Sequence, residues 1–517
     1  MTTHSYDVAI VGGGLAGALC ARQLRRALPS AKIALFEKAT KRSYKVGESS
    51  VEIASNYLTR RLGLSRYMYE QMLPKNGLRF FFDTEKKDAR LEQLSEIGSV
   101  ALPYLPSFQI DRARIEADLI AMNERDGVEV IRGRVSQLAL GTAGESHGFA
   151  LERDGVTESV RARWLVDASG RAGLIAKKLD LWEDEPHHIA AVWGRFTGVG
   201  DLDDVGSAAF KKRVNNTSRF LSTVHFCYPG YWIWFIPLGE GIISVGVVIE
   251  KRRFDDAWRR EDGFWKFLRS HRSSADLLEG AEMMDVMSYG QLAYGSKRFF
   301  SADRWATTGE AGAFSDPFYS PGSDYIAMEN DFITDLVTRD LAGESPAALA
   351  ERTELYNEFI RFRFETTMKV YRDQYSLLGS FDLYRLKWDF DIACYYNLWL
   401  EPYLRDEHLE LGSLREQLRL RKMVNAVMSN FAQLFRRVED HLHAEGRFFE
   451  GNLGRFKGDF ETMRCAEGLG TDASKERAIG RTLEAFNLTR RRALDLLGQP
   501  GASDLPITHY LAGRPLV

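Results

Sequence analysis

The sequence predicts an α/β fold with an inserted antiparallel β-rich region and a helical C-terminal region, and three observations carry that prediction. The segment up to Glu37 reads strand, glycine turn, helix, strand. Alternating apolar and polar residues between about 219 and 250 read as antiparallel sheet, half buried. From about residue 325 onward the apolar spacing becomes helical.

Tyr6–Val11 is an apolar run suited to a buried parallel strand. Gly12, Gly13 and Gly14 follow, then Leu15, Ala16 and Gly17, and a helical pattern runs to about Leu28. Pro29 and Ser30 end that helix, and Lys32–Phe36 makes the next strand. Further strands are expected at Val128–Ile131, Trp164–Val166, His225–Phe226 and Ile242–Val248. Helices are expected at Asn330–Leu341, at Ala347–Lys369 and over a long stretch ending near Phe435. The glycine-rich, charged segment near 444–472 reads as a loop excursion.

Composition removes several function classes. The chain has 517 residues, 44% of them hydrophobic and 27% charged, with a net charge of −3. No basic stripe offers a nucleic acid its phosphate contacts. Cys20, Cys227, Cys394 and Cys465 lie far apart without a C-x-x-C, which argues against a disulfide framework or a zinc site and fits a reducing cytoplasm. No uncharged apolar run is long enough to span a membrane. The apolar N-terminus lacks a basic leader and carries Asp7 and a glycine cluster, so it reads as folded structure.

The glycines of the first turn form a G-x-G-x-x-G pattern in a βαβ unit, the Rossmann-like setting in which it has meaning. Gly12 permits the tight turn, Gly14 lets a pyrophosphate approach the backbone, and Gly17 lets the helix pack close to the sheet. The helix N-terminus offers free N–H groups to the anion. Glu37, followed by Lys38, ends the second strand about twenty residues after Gly17, where an acid accepts ribose hydroxyls and disfavours a 2′-phosphate. That points to NAD or FAD rather than NADP.

Two later segments favour FAD. Trp164-Leu-Val-Asp167-Ala-Ser169-Gly170 and Trp305-Ala-Thr-Thr-Gly309-Glu310-Ala311-Gly312, with Asp316-Pro317 beyond, resemble the second and third FAD motifs of monooxygenase-type flavoproteins. That group usually has Gly-Asp-Ala where this chain has Gly309-Glu310-Ala311. Gln109–Leu119 resembles the group's segment in which an arginine, here Arg112, contacts FAD, and Val135 is assigned to the same site. The resemblance implies an FAD-binding domain over 1–345, with the β-rich substrate region inserted at about 75–108 and 185–298. The helical region 346–517 is expected to cover the substrate site.

Residues 230–238 read Gly-Tyr-Trp232-Ile-Trp234-Phe-Ile236-Pro237-Leu. This W-x-W-x-I-P pattern resembles the flavin-dependent halogenases, and it falls midway between the second and third FAD motifs, as theirs does. Period two places Trp232, Trp234 and Ile236 on one face of a strand. The resemblance implies that Trp232, Trp234, Ile236 and Pro237 wall the flavin from the substrate. Tyr44-Lys-Val46-Gly47-Glu48-Ser49-Ser50 resembles the family's strap between the two sites, placing Val46, Gly47, Glu48 and Ser49 at the cofactor. Lys75, in Pro74-Lys75-Asn-Gly77, matches the setting of the family's catalytic lysine; outside that context it reads as a solvated loop residue. Pro317, Gly322 and Ser323 follow the third motif, with their backbone expected near the flavin.

In such an enzyme, reduced FAD and O₂ oxidise chloride or bromide to hypohalous acid. A lysine then binds the hypohalous acid or carries the halogen to an electron-rich ring, and burial makes its free amine more available. Members acting on free tryptophan carry a glutamate after the Asp-Pro-aliphatic of the third motif; here Tyr319 occupies that place. The chain therefore looks closer to members acting on phenols, pyrroles or carrier-bound aromatics. Aromatic density over Phe364–Leu404 supplies candidate walls for such a pocket. With one nucleotide unit visible, reduced FAD is expected from a separate reductase, and the protein is expected to be a monomer or homodimer. The alternative is an FAD-dependent aromatic hydroxylase or dehydrogenase on the same architecture, reduced directly by NAD(P)H.

Overall fold

The computed structural model describes residues 3–39, 44–142, 144–215, 217–458, 469, 475–500 and 504–511. Cys465 and much of the expected loop excursion near 444–472 lie outside the described residues.

The first strand, Thr3–Val11, pairs in parallel with Ile33–Glu37 on one side and Val156–Asp167 on the other. Where the three strands pair, at Val8–Val11, Ile33–Phe36 and Trp164–Val166, their apolar residues are buried on both faces, as parallel strands under helices require. Glu129–Arg132 and Trp305–Thr307 extend the parallel set at either end. An antiparallel edge of Arg134–Ala139 and His147–Arg153 joins Val156–Asp167. The helix Leu15–Ala27 packs Leu15, Ala18, Leu19 and Leu24 against this sheet and against the helix Gly322–Leu341. The βαβ expectation is met, with the first strand starting at Thr3 rather than Tyr6 and the second running Ile33–Glu37 rather than Lys32–Phe36.

The second sheet has nine strands and is mostly antiparallel. Its centre is Ile189–Thr197, Ile242–Glu250, Tyr231–Gly239 and Thr223–Tyr228, continued by Leu78–Phe82 and Ser95–Ile97. The expectation that its middle is half buried is wrong. Every residue of Thr223–Tyr228 is buried, and so is Tyr231–Gly239 apart from its last residue. Both faces are covered. Ile233, Phe235, Val245 and Val247 pack under the segment 254–278, whose Phe264, Phe267 and Leu268 close that side. Trp232, Trp234 and Val248 face the opposite way, toward Phe318, Tyr375 and the C-terminal helices. The alternation along the strand is therefore between two apolar environments rather than core and solvent.

The helical region begins earlier and ends later than the sequence pattern predicts. Gly322–Leu341 starts at Gly322 and Pro346–Tyr371 at Pro346, where Ser345 caps the N-terminus through Ala348 N. Phe381–Cys394 and Arg421–Ala444 follow. Their side chains join the second sheet in one core through Tyr384, Trp388, Phe390, Phe431 and Phe435. The C-terminal region also adds a strand to that sheet: Phe456–Lys457 pairs in parallel with Ser95–Ile97. Among the described residues no helix is long and apolar enough to cross a membrane.

Candidate active site

The glycine turn is built as its chemistry demands. Gly12 has φ +111°, and a Cβ there would lie 2.2 Å from the Ala168 carbonyl oxygen. A Cβ on Gly17 would lie 1.9 Å from the Gly12 oxygen. Gly14 differs, because its nearest neighbours are Lys45 Nζ at 3.8 Å and a Glu116 oxygen at 4.0 Å. Its open side faces charged groups rather than packed backbone. Leu15 N, at the mouth of the helix, donates to Glu116 Oε1 at 3.2 Å, and Lys45 Nζ pairs with Glu116 Oε2 at 2.6 Å. Arg112 pairs with the same carboxylate and donates to Val46 O at 2.9 Å. Despite burial, Arg112 and Lys45 hold the Glu116 carboxyl below the usual range. An anionic group thus sits on the helix N-terminus, the position a pyrophosphate takes in this motif.

The other predicted cofactor residues divide in two. Glu37 accepts from Gly13 N at 2.6 Å and from Ala39 N at 2.6 Å, which fixes it against the glycine turn, while Lys38 is exposed beside it. Asp167 is buried and accepts from Ser169 N and Ile175 N, so its carboxylate shapes the turn after the strand. Val135 lies on Arg134–Ala139, which pairs with His147–Arg153 rather than with the Glu37 strand, just after Gly133, whose N donates to Glu37 O. The remaining positions converge on a cavity with an empty volume of about 1200 Å³. Leu15, Val46, Gly47, Glu48, Ser49, Arg112, Gly309, Glu310, Pro317, Gly322 and Ser323 line it, and so do Trp232, Trp234 and Ile236. Ala16 touches it indirectly, by packing under Gly309. Pro237 lies on the same strand with opposite parity, is buried, and is not among the lining residues of this cavity.

Burial and pairing set the state of several lining residues, of which Glu329 and His225 carried no motif signal. Glu48 is buried and paired with Arg195 at 2.8 Å, and burial still pushes its carboxyl upward. Glu329 accepts from Gly309 N at 2.6 Å; burial raises it to about 8, so it holds a proton at neutral pH. Burial lowers His225 to about 3, keeping it neutral beside Trp232. Glu310 is tied to Arg171 at 2.7 Å. The Ser323 hydroxyl, buried at the start of Gly322–Leu341, has no hydrogen-bond partner among the described residues. An apolar cavity of this size, an orphaned hydroxyl and an anion-binding helix mouth fit the isoalloxazine and pyrophosphate ends of FAD.

Lys75 lies beyond the strap, in a second cavity with an empty volume of about 1040 Å³. It is 3% exposed, which excludes the solvated-loop reading. Nζ donates to Ser49 Oγ at 2.8 Å and to Ser50 O at 2.8 Å. Ser49 Oγ lies 2.9 Å from Thr223 Oγ1, and Thr223 lines the flavin cavity. The polar chain Lys75–Ser49–Thr223 therefore connects the two chambers. Burial lowers the Lys75 amine to about 8, against the opposing fields of Glu52 and Asp324. As a free amine it has two N–H groups, both already engaged, so its lone pair stays available.

The wall between the chambers is composite. Trp232 and Trp234 bound the flavin side only; Phe318 packs on Trp232, with ring centroids 5.1 Å apart. Tyr319 bounds the Lys75 side only, and its hydroxyl donates to Asp391 Oδ2 at 2.8 Å. Tyr371, Trp388, Tyr395, Tyr396 and Trp399 of the aromatic-rich segment line this second cavity, while Tyr375, Phe381, Tyr384, Phe390 and Tyr403 are core. Glu52, Asp324, Arg363 and Asp391 also line it. Glu116 was legible as the helical i+4 partner of Arg112. The others stand in helices where spacing alone does not distinguish a cavity wall from core.

Residues 5–210 match the family described as FAD binding domain. The flavin-dependent halogenase chlA of Dictyostelium discoideum is 29% identical over 439 residues, covering 78% of this chain and 72% of that protein. The 1H-pyrrole-2-carbonyl-[peptidyl-carrier protein] brominase of Pseudoalteromonas luteoviolacea is 25% identical over 418 residues, covering 79% and 91%. Over most of its length the chain is similar to proteins named as flavin-dependent halogenases. The solved structure of halogenase PltM superposes with a TM-score of 0.68 at 16% identity, over 84% of this chain and 92% of that one, which shows a shared fold. The halogenase resemblance read from the motifs holds, as do the α/β fold with its helical C-terminal region and the FAD cofactor.

Proposed function

We propose that this protein is a two-component halogenase in which Lys75 passes halogen from hypohalous acid to an electron-rich aromatic ring. The observation that carries the role of Lys75 is its buried, partly deprotonated amine, joined through Ser49 and Thr223 to the flavin cavity yet opening into a separate chamber. Bound reduced FAD, with O₂, supplies the oxidation of chloride or bromide. The protein's own residues hold and separate. The Gly12–Gly17 turn and Arg112 hold the anionic end of the cofactor. Trp232, Trp234 and Phe318 exclude the substrate from the flavin. Ser49 and Ser50 fix the amine with its lone pair free.

The substrate is a phenol- or pyrrole-type ring, free or carrier-bound, since Tyr319 replaces the carboxylate expected for free tryptophan. A separate reductase supplies reduced FAD in the cytoplasm, and the protein works as a monomer or homodimer. The test incubates the protein with FAD, a flavin reductase, NADH, bromide and a panel of phenols, pyrroles and indoles. A bromine isotope doublet in the product mass, absent with Lys75→Ala, supports the reading. Oxygenated products without bromine, or bleaching of bound FAD by NADH with no reductase present, refute it in favour of a hydroxylase.

A further inference from the structure

The Lys75 chamber holds a second buried cation that its surroundings leave unsatisfied. Arg363 lies on the helix Pro346–Tyr371, is 2% exposed, and lines the same cavity as Lys75. Its Nε and Nη1 are buried without a hydrogen-bond partner among the described residues. Its Nη2 lies 3.7 Å from Asp324 Oδ2, too far for a good hydrogen bond. One face of the guanidinium covers Trp399, with Cζ 4.5 Å from the ring centroid.

A guanidinium does not escape burial by losing its proton. Burying its N–H groups without acceptors is costly, so a site built this way gains when an acceptor arrives. Asp324 does not fill that role. Its oxygens are taken by Ala54 N at 2.9 Å and the Tyr395 hydroxyl at 3.1 Å. Burial also raises its carboxyl to about 7, so at neutral pH it balances Arg363 only in part. Arg79, Arg219 and Lys387, also buried, are closed within the protein, whereas Arg195 Nη1 and Arg352 Nε likewise lack a hydrogen-bond partner among the described residues. Arg79 and Arg219 share Glu96, and Lys387 pairs with Asp391 at 2.8 Å while donating to Val370 O at 2.7 Å.

Building on the halogenase reading above, we propose that Arg363 receives a carboxylate on the substrate, making the substrate class an untethered aromatic carboxylic acid. The carboxylate seats on Arg363, and the rest of the ring lies in the chamber that Lys75 opens into. A hydroxyl or pyrrole nitrogen on that ring keeps it nucleophilic in spite of the acid group. A thioester-linked aromatic lacks the charge this pocket calls for.

The test is binding to the oxidised, FAD-loaded protein without halide, by calorimetry, using 2,4-dihydroxybenzoate, its methyl ester and resorcinol. The acid should bind about ten- to a hundredfold more tightly than either neutral compound, the range of a charge-assisted hydrogen bond. Arg363→Gln should erase that preference while retaining FAD, and Arg363→Lys should restore part of it. The wild-type preference is readable even if a variant misfolds. Equal affinity for acid and ester, no binding of any of the three, or an undiminished preference in a folded Arg363→Gln protein overturns the assignment. The two readings fail separately. Bromination with equal affinities sinks only the role of Arg363, and an intact acid preference without bromination of any aromatic sinks the halogenase reading.

Discussion

The two chambers on either side of the strap are built from different kinds of parts. The anion-binding end of the flavin chamber rests on backbone: a glycine turn and a helix mouth, formed by residues close together in sequence. The Lys75 chamber rests on side chains drawn from the residues just after the strap, the second sheet and several helices, among them Gly322–Leu341, Pro346–Tyr371, Phe381–Cys394 and Arg421–Ala444. Its ionisable groups are displaced from their ordinary values in opposite directions, the Lys75 amine down and the Glu52 and Asp324 carboxyls up, all through burial. Backbone sites tolerate side-chain change but not added volume. Side-chain sites have the opposite weakness, and mutations should separate them.

The largest effect expected is from Lys75→Ala. Product halogenation should fall by about 10²–10⁴-fold, the usual reach of a positioned acid, base or nucleophile. FAD content after purification should match wild type, because Lys75 does not line the flavin cavity. A joint loss of FAD and activity would break the separation of the chambers. The glycine turn should behave in the mirror image. Gly14→Val places branches on the open, charged side of the turn and should weaken FAD binding by roughly 10–100-fold, an overpacking cost of about 1–3 kcal/mol. Flavin absorbance after gel filtration reads this directly. Gly17→Ala should instead lower the melting temperature of the protein with or without FAD, since its Cβ meets the Gly12 oxygen at 1.9 Å.

This contrast also explains what the sequence disclosed. Gly12, Gly14 and Gly17 announce the flavin site because a backbone geometry needs those residues at that spacing. Trp232, Trp234 and Ile236 were placed correctly on one face by period two, and Pro237 was misplaced beside them because parity puts it on the other. Arg363 and Asp391 left no trace. A polar residue in an aromatic-rich helix reads the same whether it faces a cavity or an ion pair, and only tertiary packing decides. The half-buried reading of the second sheet failed for a related reason: its second face is covered by residues 254–278, a connection whose destination no local pattern reveals.

A smaller effect concerns pH. The Lys75 amine stands at about 8 rather than 10.5, so its unprotonated fraction grows as pH rises through 8. Below about pH 7 the rate of halogenation should drop roughly tenfold per unit, while FAD affinity stays level across the same range. Ser49→Ala sharpens the point. Without its oxygen one Lys75 N–H loses its acceptor, which disfavours the charged amine most. The rate should fall by about tenfold, the cost of one buried unmade hydrogen bond, and the pH midpoint should move below 8. Ser49→Thr should recover both. A midpoint unchanged by Ser49→Ala would detach the strap from the amine.

The smallest effect expected is at Tyr319, where the wall faces the Lys75 side only. Its hydroxyl donates to Asp391 at 2.8 Å and lies 3.0 Å from the Tyr384 hydroxyl. Asp391 keeps its ion pair with Lys387 when that donor is removed, so its charge is not stranded. Tyr319→Phe should therefore cost about 1–3 kcal/mol of stability, the hydrogen bonds to Asp391 and Tyr384, and change KM by a few-fold with kcat nearly intact. The ring itself, packed against Phe318 at 4.8 Å and Trp388 at 6.0 Å, still fills the wall. Tyr319→Ala should do more, since it opens the wall toward Phe318 and Trp232 and brings the substrate nearer the flavin. Its signature would be oxygenated product without halogen, measured beside the halogenated one by mass spectrometry. If Tyr319→Phe lowers kcat as far as Lys75→Ala does, the hydroxyl takes part in the chemistry, and the division between an insulating wall and a reactive amine fails at this residue.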